Sequence, residues 1–232
     1  MLERFCGSRK LPRAYGIGFD ERVVEYPWAL AQQPSGRVLD AGSTLNHAHI
    51  LDCFLPLASD LSIVTLAPEP AAFTERRVSY VYADLRDLPF RDGLFETIVS
   101  ISTLEHVGMQ NARYGDFGSP VDDPHTALRQ SIVELKRVLA PHGVLLVTVP
   151  YGVAQDYGWF RQFDHAAIVE LVDMIRPRSV DLAVYRYSRR GWQVSSLKEA
   201  ADRHYHDVNA CDGRGDDFAA AARGVVCLRA QT

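Results

Sequence analysis

The sequence predicts an α/β domain: a mostly parallel sheet of seven strands with helices on both faces. Two observations predict it. Short apolar runs alternate with stretches of helical periodicity along most of the chain, the pattern of β-α-β units. The run Val144 to Val149 is apolar at every position except Thr148, as a parallel strand covered on both sides requires.

The first strand is Arg37 to Ala41, followed by a turn at Gly42-Ser43 and a helix from about Asn46 to Leu57. A second strand spans Leu61 to Leu66 and stops at Ala67-Pro68-Glu69-Pro70, where two prolines end the strand and could open a helix at its first turn. The third, Val78 to Ala83, ends at Asp84. A loop, Leu88-Pro89-Phe90-Arg91-Asp92-Gly93, leads to the fourth, Thr97 to Ser102. A long polar connection, Gly108 to Pro124, precedes a helix whose apolar face is Leu128, Ile132, Leu135 and Leu139 and which ends near Pro141-His142-Gly143. The fifth strand follows. Ile168, Leu171, Val172 and Ile175 then mark another helix face, with Asp164 as its N-cap. Val180 to Tyr187 and Gly224 to Ala230 read as the last two strands, with a helix from Ser196 to His204 between them. Residues 1–34 read as an N-terminal cap or leading helix, and 35–232 as a single domain.

Composition excludes several classes. With 232 residues, 47% of them hydrophobic and 23% charged, the chain supports one sizeable core without disulfides. Net charge is −4, and the 25 Lys and Arg are dispersed apart from small groups such as Arg186, Arg189 and Arg190, which argues against a nucleic-acid partner. Cys6, Cys53, Cys211 and Cys227 lack metal or redox spacing and read as reduced thiols. No run approaches the ~18 apolar residues of a membrane span, and Met1 to Arg13 has no signal-peptide core. A cytoplasmic protein without membrane contact is the expectation.

A strand-turn-helix opening with glycine in the turn lets a ligand approach the backbone closely. Here Val38-Leu39-Asp40-Ala41-Gly42-Ser43 resembles the first motif of the class I S-adenosylmethionine-dependent methyltransferase family, and Asp84-Leu85 with Leu88-Pro89-Phe90 resembles a later one. The likeness continues through Leu94 to Ser100, Leu104-Glu105-His106-Val107 and Leu135 to Gly143, covering about residues 35 to 150. Several motifs in order are more specific than any one of them.

The resemblance implies a Rossmann-like sheet of order 3-2-1-4-5-7-6 with strand 7 antiparallel. It implies S-adenosylmethionine as cofactor and S-adenosylhomocysteine as product. By the same likeness Gly42 lies against the methionyl part, with Ser43 beside it in the turn, and Asp40 orients the amino-acid end. Asp84 accepts from the adenine amino group, with the Leu85 N–H at a ring nitrogen. Ser102 and Thr103 line the sulfonium side. Gly42 and Asp84 are expected on neighbouring strands facing one crevice. Two positions depart from the family pattern: Gly42 stands in a turn where relatives carry more glycines, and Thr65 where they carry an acid holding the ribose hydroxyls.

A stretch running from Glu105 through the polar loop and Val149-Pro150-Tyr151-Gly152 is similar to bacterial members that act on sugars or cell-surface glycans; O-methylation of a small molecule or glycan is the leading expectation, with a nitrogen acceptor left open. A hydroxyl acceptor benefits from a base, and His106, His125, Tyr114 and Tyr151 are candidates at the mouth, the first three being the catalytic assignments. Asp122, Asp123 and His125 could hold magnesium, but helix capping is the ordinary role of such carboxylates, so no metal is assigned. Arg113 could pair with an anionic acceptor or brace the loop. His204-Tyr205-His206 reads as surface, and Trp159 to Phe163 as either a substrate wall or core. A homodimer stays open. The competing reading from another class is a cofactor-binding or regulatory protein that keeps this fold without turnover. A nicotinamide-dependent oxidoreductase would need G-x-G-x-x-G, which is absent.

Overall fold

The first five apolar runs form strands in the computed structural model, which describes residues 1–6, 9–110, 123–208, 210 and 213–232; the first, second, fourth and fifth are interior strands, and the third, only partly buried, is an edge strand. Strands β1 (Gly36–Ala41), β2 (Ala58–Thr65), β3 (Val78–Tyr82), β4 (Phe95–Ile101) and β5 (Leu139–Pro150) pair in parallel. A separate two-stranded hairpin follows, β6 (Gln155–Asp156) with β7 (Arg161–Gln162). Strands β8 (Ser179–Ser188), β9 (Gly191–Ser195) and β10 (Gly224–Gln231) complete an eight-stranded sheet of order β3-β2-β1-β4-β5-β10-β8-β9.

The expected order is present, with β10 inserted antiparallel between β5 and β8. The count of seven is corrected to eight. β9 carries only Trp192 and Val194 as apolar residues in a run of five, too short to read as a strand by itself; its pairing with β8, Tyr187 opposite Trp192 and Tyr185 opposite Val194, makes it one.

Three helix expectations change. The prolines after β2 open no helix: that stretch is irregular until a 3-10 turn at Thr74–Arg76. The first predicted helix shortens to α2 (Ala48–Phe54): Leu55 still has helical dihedrals as its C-cap, and Pro56 has no N–H with which to continue the ladder. The last shortens to α5 (Leu197–Ala200). In contrast α3 (Pro124–Val138) and α4 (His165–Ile175) form where periodicity placed them, except that α3 stops at Val138, and Leu139, expected on its apolar face, opens β5, which therefore begins five residues before the expected Val144. Asp123 caps α3 by accepting from His125 N and Thr126 N, and Asp164 caps α4 by accepting from Ala167 N.

Alternation along the strands divides the core between two sheet faces. Leu39, Ile98, Leu145 and Val147 meet α3 and α4 on one face, while Val38, Val99, Ile101 and Leu146 meet α1 (Arg22–Ala31) and α2 on the other. Thr148, the polar exception in β5, is fully buried on the α1 side. Among the described residues no helix is long and apolar enough to cross a membrane.

Candidate functional site

The chain leaves β1 through a turn wrapped around a buried carboxylate. Asp40 is fully buried and accepts hydrogen bonds from Leu45 N at 2.8 Å and Thr44 Oγ1 at 3.4 Å. Burial pushes its carboxyl up to about 7, against the lowering effect of those bonds. Gly42 follows at φ +127°, and a Cβ there would fall 2.1 Å from Thr103 Oγ1. Only glycine allows that approach between the ends of β1 and β4. Ser43, at φ +63°, keeps its hydroxyl buried without a hydrogen-bond partner. Asn46 anchors the far side of the turn, donating to Glu69 Oε2 at 2.6 Å and accepting from Tyr80 OH at 2.7 Å.

Thr65 is half-buried at the end of β2, its carbonyl accepting from Ala83 N at 3.0 Å. Asp84 lies just past β3, two strands from β1. The expected adjacency of Gly42 and Asp84 is therefore corrected: both lie on the carboxyl edge, but β2 stands between, a separation of about 10 Å at normal strand spacing. Arg86 holds Asp84 in a fork, Nε to Oδ1 at 2.9 Å and Nη2 to Oδ2 at 2.6 Å. Burial would raise the Asp84 carboxyl, yet the Arg86 hydrogen bonds prevail and hold it below its ordinary value. Leu85 is buried in the core beneath.

Past β4, Ser102 donates its hydroxyl to Glu25 Oε1 at 2.6 Å, and Thr148 donates to the same oxygen at 2.6 Å. Glu25, fully buried, also receives Arg22 at 2.5 Å. Helix α1 is thereby fastened across the carboxyl ends of β4 and β5, and Tyr26 OH reaches the turn itself, donating to the Thr44 carbonyl at 2.7 Å. Thr103 Oγ1 donates back to the Ile101 carbonyl at 3.0 Å.

Glu105 is 3% exposed, and its Oε2 has no hydrogen-bond partner. Burial, reinforced by Glu25 and Glu21, raises its carboxyl well above the ordinary value, while Arg22 opposes the shift. Arg161, from β7, senses the Glu105 charge, and its buried Nε is likewise unpartnered. Beside them His106 bonds through Nδ1 to the Trp159 carbonyl at 3.0 Å, and Tyr157, Phe160 and Tyr205 stack in contact with one another. Burial lowers the imidazole to about 4, so it is neutral at pH 7.

Of the residues singled out in the sequence, Asp40, Gly42, Ser43, Ser102, Thr103 and His106 lie at the ends of β1 and β4. His125 is turned elsewhere, its Nε2 2.5 Å from Glu170 Oε1 on α4. Tyr151 donates its hydroxyl to the Leu197 carbonyl, away from the turn. Tyr114, Arg113 and Asp122 lie outside the described residues, and among those described no cluster of three potential metal ligands occurs. Sequence reading missed Arg22, Glu25 and Tyr26. The available signal was a carboxylate at position 25 between Val24 and Trp28, on a helix face otherwise buried.

The comparisons agree with this geometry. A family described as a methyltransferase domain matches residues 41–147. The 1,6-didemethyltoxoflavin-N1-methyltransferase of Burkholderia thailandensis, solved with 1,6-didemethyltoxoflavin and S-adenosylhomocysteine, superposes with a TM-score of 0.51 at 16% identity, over 84% of this chain and 70% of that one. The YcgJ protein of Bacillus subtilis gives 0.54 at 14% identity, over 90% and 97%. The cyclase SpnF gives 0.53 at 18%, over 88% and 79%. At these identities the structures share the fold alone. No functionally curated protein matches the chain. Over residues 41–147 the chain matches the model of a methyltransferase domain, on a sheet whose order is the one that its motifs imply.

Proposed function

We propose that this protein transfers the methyl group of S-adenosylmethionine to an oxygen of a small molecule or sugar held beneath α1. Residues 35–232 form the catalytic domain in this reading, 1–34 its cap, and the cytoplasm its compartment. The observation that supports it most is Ser43: a buried hydroxyl with no protein partner, in a left-handed turn beside an obligatory glycine, needs an outside group to bond. S-adenosylhomocysteine in the Burkholderia enzyme supports the donor alone, since that enzyme is named for methylation at N1.

The residues present fit the donor. Asp40 and Glu25 place carboxyl groups at the ends of β1 and β4, both fully buried and hydrogen-bonded within the chain, where a nearby ammonium or sulfonium would favour their charged forms. Gly42 and Ser43 offer backbone to the methionyl end, and Asp84 with the Leu85 N–H would take the adenine edge once Arg86 gives way. When bound, the cofactor supplies an electrophilic methyl group; the chain's residues orient the acceptor and accept its proton. Glu105 is the proposed proton acceptor, because its Oε2 is unbonded and burial makes it a stronger base than an ordinary carboxylate. His106 serves as a neutral wall and donor, since a group titrating near 4 is a weak base at pH 7.

A second reading, a cofactor-binding or regulatory protein without turnover, is favoured by the Arg86–Asp84 fork and by the packing of Thr103 on Gly42. Calorimetry with S-adenosylhomocysteine and a labelled-methyl assay over hydroxyl-bearing acceptors separate the two. Catalysis predicts saturable binding, transfer, and about tenfold weaker binding in Asp84→Ala, the cost of a lost hydrogen bond of roughly 1–3 kcal/mol. Binding without transfer to any acceptor supports the second reading. Silence at millimolar ligand defeats both.

A further inference from the structure

A second concave site lies at the β9 border of the sheet. Residues 12–19 run against the edge hairpin and are fastened to it: Trp192 N donates to the Tyr15 carbonyl at 2.8 Å, Trp192 Nε1 to the Phe19 carbonyl at 3.2 Å, and Gly18 N to Tyr187 OH at 2.9 Å. Gly191, at φ +86°, permits the contact, since a Cβ would stand 2.4 Å from the Tyr15 carbonyl oxygen. Between segment and hairpin opens a cavity of about 850 Å³ whose charged lining is Lys10 and Arg13 on one wall and Arg189 and Arg190 on the other. A smaller cavity of about 310 Å³ shares Arg189, Arg190 and Gln193 and adds Arg186 and Arg203.

Among the described residues no Asp or Glu lines either cavity. Arg203 is already paired with Asp202, whose carboxyl Arg186 also depresses. Among the described residues Lys10, Arg13, Arg189 and Arg190 make no ion pair. Four unpaired cations facing one hollow, on a chain of net charge −4, repel one another unless an anion joins them. Two adjacent guanidiniums match the oxygens of a phosphate in bidentate fashion, and a lysine supplies a point charge.

We propose that this groove binds a small molecule carrying two or more phosphate groups. A nucleic acid fits less well, because among the described residues no exposed aromatic side chain lines the groove for base stacking. A membrane surface fits less well because the cations line a hollow rather than a flat face. The β8–β9 turn lies on the same sheet edge as the carboxyl end of β5, since β10 is antiparallel to both β5 and β8. Three strand spacings separate β9 from β5, about 15 Å. The groove takes its ligand whether or not the turn at Gly42 takes an adenosyl donor.

Calorimetry of the full chain with sodium tripolyphosphate at low ionic strength reads the site directly. One site per chain is expected, weakened by added salt and at least tenfold weaker in the double variant Arg189→Ala, Arg190→Ala. The double variant Lys10→Ala, Arg13→Ala, on the facing wall, is expected to lose binding likewise, with affinity for S-adenosylhomocysteine within twofold of the parent in both. The proposal is overturned by no binding to the parent chain, or by unchanged affinity in both variants. It is overturned equally if citrate, single-stranded RNA or phosphatidylglycerol vesicles bind through these residues while tripolyphosphate does not.

Discussion

Glu25 on α1 accepts a 2.6 Å hydrogen bond from the hydroxyl of Ser102 at the end of β4, 77 residues away in sequence. The same carboxylate oxygen takes Thr148 from β5, and the other takes Arg22. One buried acid thus holds the N-terminal helix over two central strands.

Replacing Glu25 by alanine leaves two buried hydroxyls without an acceptor and Arg22 without its nearest counter-charge. Glu25→Ala is expected to lower unfolding free energy by about 3 kcal/mol. Urea denaturation measures it, and Glu25→Gln, which keeps an acceptor, should lose less. Equal stability of all three chains would mean that α1 is not held through this residue.

Gly42→Ala must place a methyl group within Thr103 while keeping φ near +127°. The clash and the backbone strain together are expected to cost about 2 kcal/mol and to weaken S-adenosylhomocysteine at least tenfold. Adding Thr103→Ala removes the clash but leaves the strain, so thermal melting should show partial recovery; complete recovery would mean that the backbone conformation is unimportant.

Asp40 sets a pH dependence of stability. Its ordinary value of 3.8 describes the unfolded chain, and burial raises the folded value to about 7. The folded state therefore holds a proton that the unfolded state releases between those values, so this contribution is fully present below about pH 3.8 and lost as pH rises through about 7. Asp40→Asn, which can still accept from Leu45 N, is expected to flatten the decline between pH 4 and 7 in chemical denaturation. An unchanged slope would show that another group titrates there.

Glu105 and His106 make opposite predictions for the pH profile of methyl transfer. With Glu105 as proton acceptor, the rate rises with pH as its elevated carboxyl ionises, and Glu105→Gln removes that limb with a loss of at least a hundredfold. The imidazole, at about 4, contributes no limb between pH 6 and 8. A limb near 6.5 that survives Glu105→Gln and disappears in His106→Gln would transfer the role to the histidine.

Much of the architecture was legible because it depends on neighbours in sequence. Strand-turn-helix order, the caps at Asp123 and Asp164, and the polar exception at Thr148 are local patterns with local causes. β9 was illegible because an edge strand of five residues owes its conformation to the strand beside it. The helix expected after Pro68 failed because proline fits a first turn only if the following residues find a face to bury. At the site, Gly42 and Asp40 were visible as a turn motif. The partners of Asp84, His106 and His125 were not, since Arg86, Trp159 and Glu170 meet them through side-chain geometry that no spacing rule encodes.

By itself the sequence determined the alternation of elements, the β1 turn and the resemblance to a methyltransferase domain, because apolar periodicity and short motifs act over a few residues at a time. Only the tertiary structure decided that Glu25 closes over Ser102 and Thr148, that Glu105 loses its solvent, and that Arg13 faces Arg190 across a hollow. Burial and charge pairing depend on which distant segments share space, and that follows from packing the whole sheet rather than from any stretch of it.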